Sequence, residues 1–512
     1  MARACGLVLL FAAATAAAQD GGKSCDDILS APRDTKMGRV GPVACRLHEV
    51  ELALGGRAFH RVDVGLDGTV DGYLTRTGDY KEYLTNAPDL VFPQTADPGP
   101  VYLAVAQYQR DKGAAMTIVY PADATAWNGK AWVTVHGRGR SFKEGNLKAW
   151  DKNLDPAAPA RDLDRYDRVI LGKGYALVKT HRTTTEGLGE ITSKLEDGST
   201  ADYTAFNDSH RYVMDFTAVA ESLIARRLGR APSRTYFYGH SAGARMARGL
   251  NYTPGLNRGE GGRPIFDGIL ADDGAAGGWL PVVFKDGKDV LLATEADRVA
   301  FVPQIDVSHQ MYNNIWPPKK PDWMSASYLE NKRNNARVLR DKGLTPKHRM
   351  YEVRGISHSG GETLPDARLA DNLDLSKMME RFVDMLDAWV DKGVAPPPSR
   401  SDWAELGFGP ALAFPEVACP LGVYHPSPTT TSGVTAFAAF TGKGLEPLDQ
   451  NKVFVDMNRN GVWDLRETPT QAWRRLGLLD QDESLTREKY VACVTSAAEQ
   501  LRHDGFFSEA TA

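Results

Sequence analysis

The stretch TYFYGHSAGARMARGL, Thr235 to Leu250, restricts the fold more than any other part of the chain. β-prone residues run straight into a Gly-His-Ser-Ala-Gly pentapeptide and then into a small-residue helical pattern. A strand that turns directly into a helix forces its central residue into a strained backbone conformation. Gly239 and Gly243, two positions either side of Ser241, remove side chains that would collide across such a turn. The turn lifts the Ser241 hydroxyl clear of a sheet and aims a helix N-terminus, with free amides and a positive dipole end, at the space beside it. A pentapeptide of this kind also fits a plain glycine-rich turn. Its strand-then-helix setting makes Ser241 a candidate nucleophile.

Two further pieces lie in chain order around it. AWVTVHGRGRS reads as a strand followed by His136-Gly137-Arg138-Gly139, a turn whose backbone N–H at Arg138 is one candidate oxyanion donor. The second donor is the residue after the nucleophile, Ala242. Downstream, HRMYEVRGISHSGGE places His358 in a small-residue turn after a strand, where a general base for Ser241 belongs. The acid that would hold the imidazole is placed first at Asp306 in VPQIDVSHQ. Asp297 in VLLATEADRV and Asp272 and Asp273 ending FDGILADD have suitable contexts too, and spacing does not choose among them.

The body of the chain alternates strand and helix signals. MTIVYPAD, AWVTVHG and GYALVKTH are short apolar runs closed by polar residues or glycine, and HRYVMDFTAVAESLIARR (210–227) has apolar residues at helical spacing. This alternation predicts an α/β fold, a mostly parallel sheet with helices on both faces. The reading divides the chain into a signal peptide (1–18), an N-terminal accessory β-rich segment (19–95), a catalytic domain (96–392), a Pro/Ser-rich linker GVAPPPSRSD (393–402) and a C-terminal segment (403–512). The insertion at 140–168, which carries Trp150, is placed to roof a cleft, although a tryptophan there serves packing as readily.

GHSAG with an upstream HGRG and a downstream GISH resembles the α/β-hydrolase superfamily. More narrowly, the chain is similar to secreted bacterial α/β-hydrolase-domain proteins of esterase type. The runs ACPLGVYHP (418–426) and YVACVTSAAEQLRHDGFF extend the likeness over most of the chain. The resemblance implies a Ser-His-acid site and an ester-like substrate, a small molecule or a polymer. Members of that group often carry a carboxylate where this chain reads VSHQMY. The same residues would serve a peptidase or amidase, and a non-catalytic binding protein on this fold is the reading from another class.

DMNRNGVWDLRE, Asp456 to Glu467, matches the calcium-loop template: Asp456, Asn458 and Asn460 at positions 1, 3 and 5, Gly461 at 6, the Val462 carbonyl at 7, Asp464 at 9 and Glu467 at 12. Its flanks are not those of a helix-loop-helix, because KVFV enters as a strand and Pro469 follows closely. An Asn/Asp-Gly hairpin is the plainer alternative. A calcium ion there would be structural; no cofactor is expected for catalysis.

Composition bounds the rest. Charged residues make up 25% and hydrophobic ones 42%, as in soluble globular proteins, and a net charge of −4 gives no footprint for nucleic acid. The N-terminal MARACGLVLLFAAATAAAQD has the pattern of a secretory signal cut after Ala18. Cys5 precedes the apolar run, where a lipoprotein cysteine would follow it, so a released protein without a stable membrane anchor is expected. Cys25, Cys45, Cys419 and Cys493 then remain, and local pairing, Cys25–Cys45 and Cys419–Cys493, is the expected disulfide pattern.

Overall fold

The computed structural model describes residues 23–24, 33–35, 38–40, 45–66, 90–91, 114–136, 160, 163–181, 189–194, 200–205, 207–252, 257–259, 262–273, 284–285, 288–289, 292, 294–309, 328–356, 373–421 and 469–511. Among the described residues eleven strands form one sheet: β1 (Lys23–Ser24), β2 (Cys45–Leu54), β3 (Arg57–Leu66), β4 (Ala114–Pro121), β5 (Lys130–His136), β6 (Ala176–His181), β7 (Arg234–His240), β8 (Gly268–Asp272), β9 (Gln304–His309), β10 (His348–Arg354) and β11 (Leu412–Ala413). Their order across the sheet is 1-2-3-4-6-5-7-8-9-10-11. From β6 to β11 every neighbouring pair is parallel, and from β1 to β6 every pair is antiparallel. The N-terminal β-rich residues therefore do not merely lie against the sheet; β1 to β3 extend it by hydrogen bonding.

Side-chain alternation sorts the core onto two faces. Trp132, Tyr236, Tyr238, Leu270, Ile305, Val307 and Tyr351 share one apolar cluster with helix α1 (Arg165–Gly172) and helix α6 (Ser376–Lys392). Val133, Val135, Phe237, Ile269 and Ala271 face the other way, into a cluster with helix α2 (Asn207–Leu228) and helix α3 (Ala242–Tyr252). Helices α4 (Glu295–Ala300) and α5 (Tyr328–Asp341) precede β9 and β10. Covering both faces is what lets β7, β8 and β9 be buried along nearly their whole length.

The proline-rich stretch 393–402 is packed onto β10. Gly393 ends α6 in a left-handed conformation, φ 67°, and Arg400 then pairs with the backbone of Met350 and Glu352. Beyond it come the short helices α7 (Pro415–Ala418) and α8 (Pro469–Arg475) and the long α9 (Arg487–His503). Leu501, Phe506 and Phe507 join the cluster under α6, with Phe506 edge-on to Tyr351 at 5.1 Å. Cys419 and Cys493 form the expected disulfide between the end of α7 and α9. The signal segment, Cys25 and the loop Asp456–Glu467 lie outside the described residues, although α8 begins two residues after that loop, with Pro469 as its first residue.

Candidate active site

All the parallel strands deliver their carboxyl ends to one edge of the sheet. β5 is followed on one side by β6 and on the other by β7, so the connections diverge there. Crevices of this kind, at the carboxyl ends where strand order reverses, are where open α/β sheets bind ligands. Ser241 sits at that point. It follows the last residue of β7, and His240 is level with His136 of β5 and Asp272 of β8.

Ser241 has a φ of 59°, a left-handed conformation uncommon for a residue with a side chain. Neighbouring backbone holds it there: its N–H donates to the Asp272 carbonyl at 2.9 Å, and its carbonyl accepts from Ala244 N at 3.1 Å. The two glycines have the close contacts their positions foretold. A Cβ on Gly239 would fall 2.8 Å from the Ala244 nitrogen and closer still to the Gly243 carbonyl. A Cβ on Gly243 would press on the Val135 carbonyl of β5. Ala242 is the first residue of α3, and the first N–H groups of a helix have no acceptor within it. Ser241 is 7% exposed, shielded from bulk water.

The other expected residues fall at different depths. Arg138 lies two residues beyond the end of β5 and His358 two beyond Ile356, both outside the described residues. Asp306 lies within β9, at the level of Gly239 rather than of Ser241. Two strand spacings and two residues of rise separate it from the elbow, about 10 Å across the sheet and about 7 Å down. It also points to the α3 face, opposite to Ile305 and Val307. There its Oδ1 accepts from Arg248 Nε at 2.7 Å, and its Oδ2 lies 2.7 Å from His348 Nε2 and accepts from Gln304 Nε2 at 2.8 Å. Arg248 and Asp306 are both buried. Burial works against the charge of Asp306, but Arg248 and His348 outweigh it and hold the carboxyl far below the usual range. Asp297 is spent differently, closing the capping box of α4 with Thr294.

Asp272 ends β8 beside the elbow, and Asp273 follows it. Asp272 Oδ2 accepts from the Tyr238 hydroxyl at 2.9 Å and meets His240 Nδ1 at 2.9 Å; its Oδ1 meets His309 Nε2 at 2.8 Å. Burial opposes its charge, yet His309 and His240 hold its carboxyl far down. Asp273, at φ 47°, is bonded to the His309 backbone N–H at 3.0 Å and to Lys332. Lys332 Nζ also donates to Ser308 Oγ at 3.2 Å. Burial pulls the Lys332 ammonium below its usual range. His240, His309 and Lys332 did not emerge from motif spacing. The available signal was the polar alternation Gln304, Asp306, Ser308 in a strand that should be apolar on both faces.

No family model and no curated protein matches the chain. Among solved structures it is similar to a poly(3-hydroxybutyrate) depolymerase from Bordetella parapertussis, at 14% identity and a TM-score of 0.31 over 58% of this chain and 91% of that one. It is also similar to an esterase from Clostridium hathewayi that can hydrolyze aliphatic aromatic polyesters, at 11% identity and 0.31 over 62% and 78%. A carbohydrate esterase from gut microbiota aligns at 15% identity and 0.29 over 52% and 89%. By its own strand order, with the serine elbow between β7 and α3, the chain has the α/β-hydrolase fold.

Proposed function

We propose that the protein is a secreted serine hydrolase that cleaves carboxylic esters through an acyl-enzyme. The observation that carries this reading is the backbone of Ser241, left-handed at φ 59° between a buried strand and a helix N-terminus. A conformation of that cost persists where the surroundings over-determine it, and such strain gathers at active sites.

In this reading Ser241 Oγ attacks the ester carbonyl carbon while His358 takes its proton. The carbonyl oxygen becomes an oxyanion between the N–H groups of Ala242 and Arg138, and each such donor is worth about a hundred- to a thousandfold in turnover. Collapse breaks the ester C–O bond, and the proton on His358 goes to the leaving alcohol. Water, deprotonated by the same imidazole, then attacks the acyl-Ser241 ester and releases the acid. Asp306 lies two residues below the elbow and faces α3, whereas Asp272 is level with His240, so we place the acid of the triad in the Asp272–Asp273 pair at the tip of β8.

We assign the loop at Asp456–Glu467 a bound calcium with a bracing role. Its donor set, alternating carboxylate and amide oxygens, suits that hard cation. The disulfide accords with an oxidising compartment. Among the described residues no helix is long and apolar enough to cross a membrane.

The test is hydrolysis of p-nitrophenyl esters of graded acyl length, feruloyl esters and a polyester film by wild type, Ser241→Ala and His358→Ala. Turnover of at least one ester class by wild type, lost in both variants, is expected. Turnover of peptide but not ester substrates would move the reading to a peptidase, and no turnover at all would refute it.

A further inference from the structure

His309 closes β9 at the same edge of the sheet and is fully buried. Its two ring nitrogens each face a carboxylate oxygen: Nε2 lies 2.8 Å from Asp272 Oδ1, and Nδ1 lies 3.4 Å from Asp273 Oδ2. An ionised carboxylate only accepts hydrogen bonds. A neutral imidazole would therefore point one lone pair at a buried carboxylate. With both nitrogens protonated, the two positive charges of His309 and Lys332 balance the two carboxylates of Asp272 and Asp273 that they touch. Buried charges are tolerated on that condition.

The cluster touches the nucleophile through backbone. The Asp272 carbonyl receives the Ser241 N–H. The next residue, Asp273, is itself left-handed and fastened through its carboxylate to the backbone N–H of His309. Two strained residues, Ser241 and Asp273, thus lie at either end of one short connection, with His309 held against the carboxylates of Asp272 and Asp273. We propose that His309 is a positioning residue that carries a proton on both ring nitrogens, and that its imidazolium fixes the Asp272–Asp273 tip and, through the Asp272 carbonyl, the Ser241 elbow.

The groups facing this ring come from every side. Asp272 and Asp273 flank it from β8, and His240 of β7 has its ring centroid 5.9 Å away. Lys332 reaches in from α5, and Arg248 of α3 and Glu352 of β10 act on Lys332. Burial and Lys332 lower the proton affinity of His309, whereas Asp273 and Asp272 raise it and prevail. A histidine whose folded value is raised gives stability that is complete below its unfolded value of about 6.5. That stability is lost as pH rises through the folded value.

The role rests on Ser241 being the nucleophile, and the test has one arm that does not. In wild-type protein labelled with 15N-histidine, with the His309 ring assigned through its backbone amide, both nitrogens should show imidazolium shifts at pH 7 to 8. A neutral ring there overturns the proposal whatever the protein catalyses. In the kinetic arm, folded His309→Gln should lose about ten- to a hundredfold in kcat with KM changed less than about twofold. Its acid limb should move to higher pH, because the uncompensated carboxylate pair takes up a proton. A folded variant with wild-type kcat and pH profile overturns the positioning role even if the ring is charged. Loss of all activity in Ser241→Ala alongside an imidazolium signal supports both readings separately.

Discussion

Gly239→Ala adds a single methyl group where backbone meets backbone. The new Cβ would lie 2.8 Å from the Ala244 nitrogen and nearer still to the Gly243 carbonyl. Comfortable non-bonded carbon contacts begin at about 3.5 Å, so the first turn of α3 has to retreat from β7 by about 1 Å. No rotamer relieves this, because the obstructing atoms are main chain. Overpacking of this kind costs about 1–3 kcal/mol, and a rigid obstacle puts this site at about the upper value. The same retreat carries Ser241 and the Ala242 amide with it, and a misplacement of about 1 Å at a reacting centre costs on the order of a hundredfold in rate. Folded Gly239→Ala should therefore lose about 3 kcal/mol in urea unfolding and at least about a hundredfold in kcat on an ester. Gly172→Ala is the control: its added Cβ meets nothing within 4 Å. That variant should match wild type in rate and be no less stable. Wild-type stability and turnover in Gly239→Ala would refute the close apposition of β7 and α3.

Asp306→Asn leaves Arg248 buried without its counter-charge, a loss of about 3–5 kcal/mol, while kcat of the folded protein changes by less than about threefold. Asp272→Asn or Asp273→Asn should instead lower kcat by about a hundredfold or more, and the opposite ranking would return the triad acid to Asp306. The carboxyls of Asp306 and Asp272 are both held below their unfolded range. Their stabilisation is complete above about pH 4 and is lost as pH falls further, so an acid titration followed by circular dichroism should show a shallower slope in Asp306→Asn. Replacing Cys419 and Cys493 together by Ser opens a bridge that spans 74 residues, for which chain entropy gives about 4 kcal/mol; an unchanged melting curve would contradict a bracing role. Millimolar calcium should raise the melting temperature of wild type but not of Glu467→Gln, with kcat unchanged.

The elbow was legible in the sequence because its determinants are local. Two glycines, a β-prone run and a small-residue helix start lie within sixteen residues, and each limits the backbone directly. The parallel core was legible for a similar reason, since strand and helix signals alternate along the chain. The pairing of Cys419 with Cys493 followed from local pairing of an even set. Asp306 shows where this stops. Its residue type and its place near the penultimate strand both suited an acid, but its role depends on which face of β9 it occupies and how far along the strand it lies. Both are set by register with β8, which no local pattern encodes. The antiparallel strands β1 to β3 and the docking of Phe506 and Phe507 under α6 are long-range pairings of the same kind. His309 is not legible in the sequence, because a single histidine at a strand end has no motif; only the two carboxylates at the end of β8 give it a chemical meaning.

A fluorophosphonate probe addresses the central claim most directly, since it reacts with a serine only when that serine is activated. The folded wild type should take up one label per chain, mapped by peptide mass to Ser241, and Ser241→Ala should take up none. A folded wild type that stays unlabelled, or a label that persists in Ser241→Ala, would contradict the assignment of Ser241 as the nucleophile.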